Sequence, residues 1–471
     1  MTHPDDTQSY TPTAGWRELL GPKNLGASTV LAGGVALYAT NEFLTISLLP
    51  STVAEIGGQR LYAWVTTVYL VASVVAATTV GAVLTKVGPR WAYLGGLGVF
   101  GVGSVLCGVA PSMEFLLLGR VVQGAAGGLL AGLGYAVINS ALPQSLWTKA
   151  SALVSAMWGV GTLLGPAAGG LFAQFGSWRW AFGLLAVLTA VMAALVPFAL
   201  PGRTDGVTRP AADRIPVWSL VLLGAAALAI SVAGIPRNLA LTGGLLALGV
   251  ALVLVFLVVD RRTSASVLPP MAFRPGPLKW IYLTLGVLMA ATMADMYVPL
   301  FGQRLAHLVP VAAGFLSVSL AAGWTISEII SASLTRTRLI VTVVAGAPLV
   351  MAVGLGIAAV SQFEDASGLL VAVWVVALMT TGAGIGVAWP HLSAWAMGSS
   401  DDPAEGRTAA AAINTVQLIC GSFGAGLAGV VVNLTDRGDA TAARWLFAVM
   451  ALLAAFGSVA SYRASRGRVA S

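Results

Sequence analysis

Apolar residues run along this chain in blocks of about 20, the length of one bilayer-crossing helix. The blocks are not the alternating apolar and polar positions of an outer-membrane barrel strand. They predict fourteen membrane-spanning helices, at roughly 28–50, 61–84, 92–110, 115–141, 152–174, 180–200, 218–236, 239–259, 281–301, 311–333, 339–361, 368–392, 408–432 and 444–462. Short polar breaks separate most of them, so successive helices run antiparallel, and no break is long enough to fold as a separate domain. The most informative block runs from Trp158 to Phe172, with Gly161, Gly165 and Gly169 at four-residue spacing on one helix face. Without side chains there, a neighbouring helix can approach closely, which is how helices associate in lipid. Pro166 removes an amide and favours a bend, tolerated in a membrane because neighbouring helices satisfy the freed carbonyl. The plainer reading of this stretch is a close-packed helix pair.

Composition turns the pattern into a class. The 471 residues are 57% hydrophobic and 9% charged, far below the roughly one quarter charged of a soluble domain. The chain reads as an all-α polytopic membrane protein. Its first 26 residues are polar, with no apolar core before a cleavage site, so no signal peptide is expected. Cys107 and Cys420 sit in apolar blocks far apart and suggest neither a disulfide nor a metal site. The net charge of +7 is scattered through short loops, which fits membrane orientation rather than nucleic-acid binding. With the N-terminus cytoplasmic, Lys and Arg favour the cytoplasmic loops by about three to one, placing both termini inside a cell membrane.

The two halves echo each other. Leu84-Thr85-Lys86, closing the second span, recurs as Leu334-Thr335-Arg336, closing the tenth, and Arg179-Trp180-Ala181-Phe182, opening the sixth, recurs as Arg444-Trp445-Leu446-Phe447, opening the fourteenth. The expected organisation is a cytoplasmic tail (1–27), a six-helix bundle (28–200), a cytoplasmic linker (201–217), an inserted helix hairpin (218–259), a cytoplasmic connector (260–280), a second six-helix bundle (281–462) and a cytoplasmic tail (463–471). Parallel six-helix repeats about an axis along the membrane normal occur in one major class of transporters.

Three stretches resemble the major facilitator superfamily, and more closely its fourteen-helix drug:proton antiporter branch. Gly81-Ala-Val-Leu-Thr85-Lys86-Val-Gly88-Pro-Arg90 is similar to that family's cytoplasmic gating loop, Leu118-Gly-Arg120-Val-Val-Gln123-Gly124 to a signature whose arginine is implicated in proton transfer, and Gly161–Gly170, with Gly165, Pro166 and Gly169, to the antiporter signature. Trp178-Arg179-Trp180-Ala181-Phe182 and the connector Val267–Arg274 agree. Thr85 stands where the loop signature usually has an acid, and Lys86 and Arg90 remain placed to contact helix ends or lipid phosphates. The resemblance implies the major facilitator fold, with the first and ninth spans lining a central cavity from opposite sides.

The ionisable residues inside spans are Glu42, Arg120, Asp295, Glu328 and His391. A central charge costs roughly 2.5–3.5 kcal/mol, so each is expected to face a partner or a watered cavity. Glu42 and Asp295, on the two cavity helices, are the expected proton carriers, with Arg120 tuning Glu42. A carboxyl poised between desolvation and a nearby cation can load a proton from one side and release it to the other. A structural Glu42–Arg120 pair and a solvent-wetted Asp295 are the plainer alternatives, and Glu328 and His391, nearer the cytoplasmic ends, are secondary candidates. Tyr38, Asn41, Tyr135, Asn139, Trp158, Met289, Met293, Trp395 and Gln417 are adaptable or polar groups able to line a cavity. The expectation is proton-coupled export of amphiphilic small molecules by alternating access; the alternative is a dedicated transporter of a lipid, metabolite or nutrient. With no H-E-x-x-H, G-x-S-x-G, phosphate loop or metal-ligand cluster, neither an enzyme nor a cofactor is expected. A monomer is favoured.

Overall fold

The structure, a computed structural model, describes residues 16–200, 215–236, 238–263, 266–399, 403–435 and 438–466. Most of the linker expected at 201–217 and the outermost parts of both tails lie outside these residues. The regular elements are all helical: α1 (Leu25–Ile56), α2 (Trp64–Ala77), α3 (Val80–Gly108), α4 (Met113–Ala136), α5 (Trp147–Phe175), α6 (Trp178–Ala199), α7 (Val217–Ala233), α8 (Leu239–Arg262), α9 (Leu278–Thr292), α10 (Val298–Leu305), α11 (Pro310–Ala332), α12 (Thr337–Val360), α13 (Gly368–Met397), α14 (Pro403–Leu434) and α15 (Asp439–Ser465), with a few single turns between them. Twelve helical spans among the described residues are long and apolar enough to cross a membrane, one of them formed by α9 and α10 together. Two expected crossings fall outside that twelve. α1 has 32 residues but its apolar run is broken by Asn41 and Glu42, and α7 has only 17.

Local sequence explains where the helices begin and break. Four helices that start at the same end of the molecule are capped by side chains: Ser112, Ser177, Asn238 and Ser367 accept from Phe115, Arg179, Ala240 and Leu370 amides. Each satisfies a first-turn amide that would otherwise lie unpaired near the apolar layer. Between α2 and α3, Thr78 and Thr79 donate back to the Val75 and Ala76 carbonyls, at 2.8 and 2.7 Å, where the chain leaves the helix for one turn. At the far side of the gating-loop motif Gly88 has φ 79° and ψ 169°, a conformation that side chains disfavour, and the chain turns there into the rest of α3.

Helices α1–α6 pack mainly among themselves, with α1 on α5, α3 on α4 and α2 on α4. Helices α9–α15 form a second set, in which α11 lies on α13 and α12 on α15. The sets meet along two seams, α5 with α11 and α2 with α14, while α7 packs on α8, α14 and α2. Burial is inverted relative to a water-soluble protein: α8 is almost wholly apolar yet largely exposed, whereas α1, with its polar centre, is buried on nearly all sides. With lipid as the surrounding medium, apolar side chains gain nothing by going inside, and polar ones do.

Contacts between the sets gather at the end that carries Gly58. Tyr62 donates to the Met296 carbonyl at 3.3 Å and stacks on Tyr297 at 4.7 Å, and Tyr297 stacks on Phe301. Arg304 bonds both Gln59 and Asp439 at 2.9 Å, and Asn433 donates to the Arg60 carbonyl at 2.8 Å.

Candidate functional site

The glycine stripe of α5 positions the acid of α1. A Cβ on Gly161 would lie 2.6 Å from Ala39 Cβ, one on Gly165 2.6 Å from Phe43 Cβ, and one on Gly169 2.7 Å from the Leu44 carbonyl oxygen. All three contacts bracket Glu42, so the missing side chains let α5 lie directly on the acid-bearing segment. Gly170 makes the same close approach to α11, 2.6 Å from Val311 Cα. The stretch therefore joins three helices rather than two. Pro166 lies within the continuous α5, its carbonyl oxygen against Gly314 of α11.

Glu42 is 9% exposed, and its Oε2 is enclosed without a hydrogen-bond partner. Beside it Asn41 is fully buried with both amide atoms unpartnered, and the Tyr38 hydroxyl and Ser47 Oγ are also enclosed and unpaired. Leaving such groups unsatisfied costs about 1–3 kcal/mol each. A row of them on one helix marks a place where water or a ligand completes the bonding.

Next to this row stands a column of rings. Trp158 meets Tyr38 edge-on at 5.4 Å, Tyr38 stacks on Tyr69 at 5.5 Å, and the Arg120 guanidinium lies 4.0 Å above the Tyr69 ring. Arg120 is 1% exposed and donates to the Val65 carbonyl at 3.2 Å and to Gln123 Oε1 at 2.9 Å. The Gln123 amide then donates to Ser104 at 2.9 Å, and the Cys107 thiol donates to the same Gln123 oxygen at 3.3 Å. No ion pair joins Glu42 to Arg120 among the described residues, so the simple buried pair does not form. Arg120 instead reaches the acid row through the face of Tyr69. Tyr69 and Ser104 are the members sequence reasoning missed; Gln123 was named only within the Arg120 signature, where its three-residue spacing from Arg120 was the signal, and Cys107 only as a cysteine in an apolar block.

Asp295 lies not in a regular α-helix but in a 3-10 turn, Met293–Tyr297, between α9 and α10. It is half-buried, its Oδ1 is enclosed and unpartnered, and Ser317 of α11 lies beside it. Met293 packs on a cluster formed by Tyr38, Tyr69, Leu70, Val74, Leu220 and Leu418, which Trp158 also joins. Met289 and Met293 both lie near Gly421 of α14. One aromatic and apolar cluster therefore lies between the Glu42 row and the turn carrying Asp295.

The remaining candidates separate. Glu328 accepts from the Trp324 indole at 3.0 Å, and Trp324 lies 5.3 Å from Trp389. His391 is buried against Ser331, with Nε2 3.0 Å from both its hydroxyl and its carbonyl oxygen. Tyr135 is exposed, Trp395 and Gln417 are half-buried, and the Asn139 side chain lies outside the described residues. In the gating-loop stretch, which begins at Gly81, Thr85 donates to the Gly81 carbonyl, and Arg90 grips the Leu200 carbonyl with Nε and Nη2 at 3.0 and 2.9 Å, capping the end of α6. Lys86 shares that stretch. No cluster of three or more His, Cys, Asp or Glu able to hold a metal occurs among the described residues.

The Major Facilitator Superfamily profile matches residues 31–425. A probable multidrug-efflux transporter of Mycobacterium tuberculosis is 63% identical over 463 residues, covering 98% of each chain. The multidrug transporter protein MdtP of Bacillus subtilis is 25% identical, covering 83% of this chain and 73% of its own. Among solved structures, an inward-facing, unoccupied bacterial homologue of the human lysosomal transporter Spinster superposes with a TM-score of 0.64 at 12% identity, covering 96% of this chain and 98% of its own. A D-xylose–proton symporter superposes at 0.63 with 15% identity, covering 92% and 97%.

Proposed function

This chain belongs to the major facilitator superfamily, and we propose that it exports amphiphilic drugs or toxic metabolites across the cell membrane in exchange for protons. It is a multi-pass membrane transporter and not an enzyme. The finer reading counts α1 and α7 as crossings, giving fourteen spans: a bundle of α1–α6, an inserted α7–α8 hairpin and a bundle of α9–α15. The excess of Lys and Arg in the alternate loops puts the Lys86 end in the cytoplasm and the Gly58 end outside. The contacts at the Gly58 end then close the transporter to the outside, and the two bundles rock about the mid-membrane site to open it.

The observation that carries this reading is the enclosed, unpartnered Glu42 carboxyl beside an aromatic column. A proton or a cationic, ring-bearing substrate can each supply what that carboxyl lacks, but both cannot at once. Competition for one acid is the coupling. Protons returning down the membrane potential supply roughly 2.3 kcal/mol per 100 mV for each charge, with the pH gradient in addition. The ring column offers a flat, adaptable surface for varied amphiphiles.

The test is reconstitution into proteoliposomes carrying a pH-sensitive dye. Drug addition should release protons from the wild type, and Glu42→Gln should reduce the release to background while substrate still binds. Wild-type coupling in Glu42→Gln would remove this acid from the mechanism.

A further inference from the structure

The α7–α8 hairpin sits at the seam where the two bundles must part. Its first helix is carried by α14: a Cβ on Gly234, just past α7, would lie 3.1 Å from Val430 Cα, and one on Gly426 of α14 would lie 3.0 Å from Ser231 Oγ. Backbones that close move together. The far end of the hairpin is tied to the start of the second bundle by Asp260, which is 1% exposed. Its Oδ1 accepts from Ser219 Oγ and from the Val267 amide, both at 2.7 Å, and its Oδ2 accepts from the Leu268 amide at 2.9 Å. One carboxylate thus joins the first turn of α7, the last turn of α8 and the connector leading through a short 3-10 turn to α9. Removing a buried partner of this kind leaves several groups unsatisfied together.

The hold on the first bundle is of a different kind. The Trp64 indole donates to the Ser231 carbonyl at 3.1 Å, and Arg60 Nη1 donates to the Ile235 carbonyl at 3.4 Å. Both donors lie at the outer end of the α2–α14 seam, and the Arg60 carbonyl also accepts from Asn433 of α14. Farther in, the contacts of the hairpin with α2 among the described residues are apolar, as between Gly224 and Val71 and between Leu220, Leu70 and Val74. The hairpin is therefore fixed to the second bundle by close packing on α14 at one end and by Asp260 on the connector at the other. Its polar hold on the first bundle, among the described residues, is two hydrogen bonds at the outer end.

We propose that the α7–α8 hairpin is an outer-face latch, carried by the second bundle and engaging the first through Trp64 and Arg60, which releases when the outer side opens. It spans only the α2–α14 seam; the α5–α11 seam is packed through Gly170 and Gly314 without it. Opening is then asymmetric, with the hairpin side as the controlled one. This inference rests on the two-bundle reading above but on neither proton coupling nor substrate.

The test uses full-length protein in lipid nanodiscs with nitroxides on Gly176→Cys and Gly368→Cys, exposed outer-side positions on the two bundles where a new side chain meets no atom within 3.4 Å. Pulsed distance measurement on the otherwise wild-type chain should show one dominant short population. Trp64→Phe with Arg60→Ala should add a longer one, and Asp260→Asn, which touches no outer contact, should shift the distribution the same way. Leu254→Ala, on the exposed face of α8, should leave it unchanged. If the double variant folds poorly, Trp64→Phe alone should give a smaller shift in the same direction. Unchanged distances in the Trp64 variants, or an equal shift in Leu254→Ala, would overturn the latch. Loss of drug-driven proton release with the distance shifts intact would count against the transport reading and leave the latch standing.

Discussion

Glu42 owes its place to residues without charge. Gly161, Gly165 and Gly169 give it a close neighbour, and Tyr38 and Tyr69 hold the arginine at one ring's distance. Gly165→Ala should therefore destabilise the protein by about 1–3 kcal/mol through overpacking against Phe43. Gly159→Ala, six residues earlier where a Cβ meets nothing within 4 Å, should be neutral or stabilising by up to about 1 kcal/mol. Thermal unfolding in detergent, followed by tryptophan fluorescence, separates the two, and equal effects would mean α5 does not seat on α1 as described. Arg120→Lys keeps the charge but loses the planar fork that serves Val65 and Gln123 together. It should cost about 1–3 kcal/mol and weaken drug-coupled proton release; wild-type behaviour on both counts would assign Arg120 no role beyond its charge.

Among the elements, the internal echo read from the sequence has a structural counterpart. Arg179, opening α6, donates to the Ala110 carbonyl past the end of α3, and Arg444, in the second turn of α15, donates to the Gln362 carbonyl past the end of α12. Each guanidinium also covers a ring, Trp178 or Phe363. Arg179 adds an ion pair with Glu55, which accepts from the Trp178 indole as well. The same residue type thus closes the same helix end in both halves. Arg179→Gln and Arg444→Gln should each cost about 1 kcal/mol or less, given their partial exposure, and the double variant should be additive because the sites are far apart. Melting curves of the three variants check this; marked non-additivity would mean that the two ends communicate. The one-turn breaks at Thr78–Thr79 and Met293–Tyr297 were not legible. A span is read by its mean apolarity, and a single unwound turn hardly changes that mean.

Across the whole molecule, the contacts at the Gly58 end, which the proposed orientation puts outside, join segments far apart in the chain. Ala63 and Gly429 touch there, a Cβ on Gly429 lying 2.5 Å from the Ala63 Cβ, so a cysteine pair needs about 1 Å of extra separation to reach disulfide geometry and crosslink. Oxidation of Ala63→Cys/Gly429→Cys should lock the outer side shut and stop export, and reduction should restore it. Export that continued in the oxidised protein would mean that the α2–α14 seam does not part during transport. The reach of the sequence reading follows the same scale. Glu42, Arg120 and the α5 glycines were visible because membrane burial makes charge and missing side chains conspicuous. Tyr69 and Ser104 were not, because an aromatic or a hydroxyl in an apolar helix looks ordinary until its neighbour is known.

By itself the sequence determined that this chain lives in a bilayer, that short patterns recur in its two halves and which acids are costly to bury. Length, apolarity and charge are properties of each segment alone, and the bilayer acts on them segment by segment. Tertiary structure decided that Arg120 answers to Gln123 and Tyr69 instead of pairing with Glu42, that Asp295 sits in a turn, and that the hairpin fastens one seam and not the other. Those are facts about which helix faces which. In lipid that choice is made by close packing and by pairing of polar groups across helices, and neither exists until the helices meet.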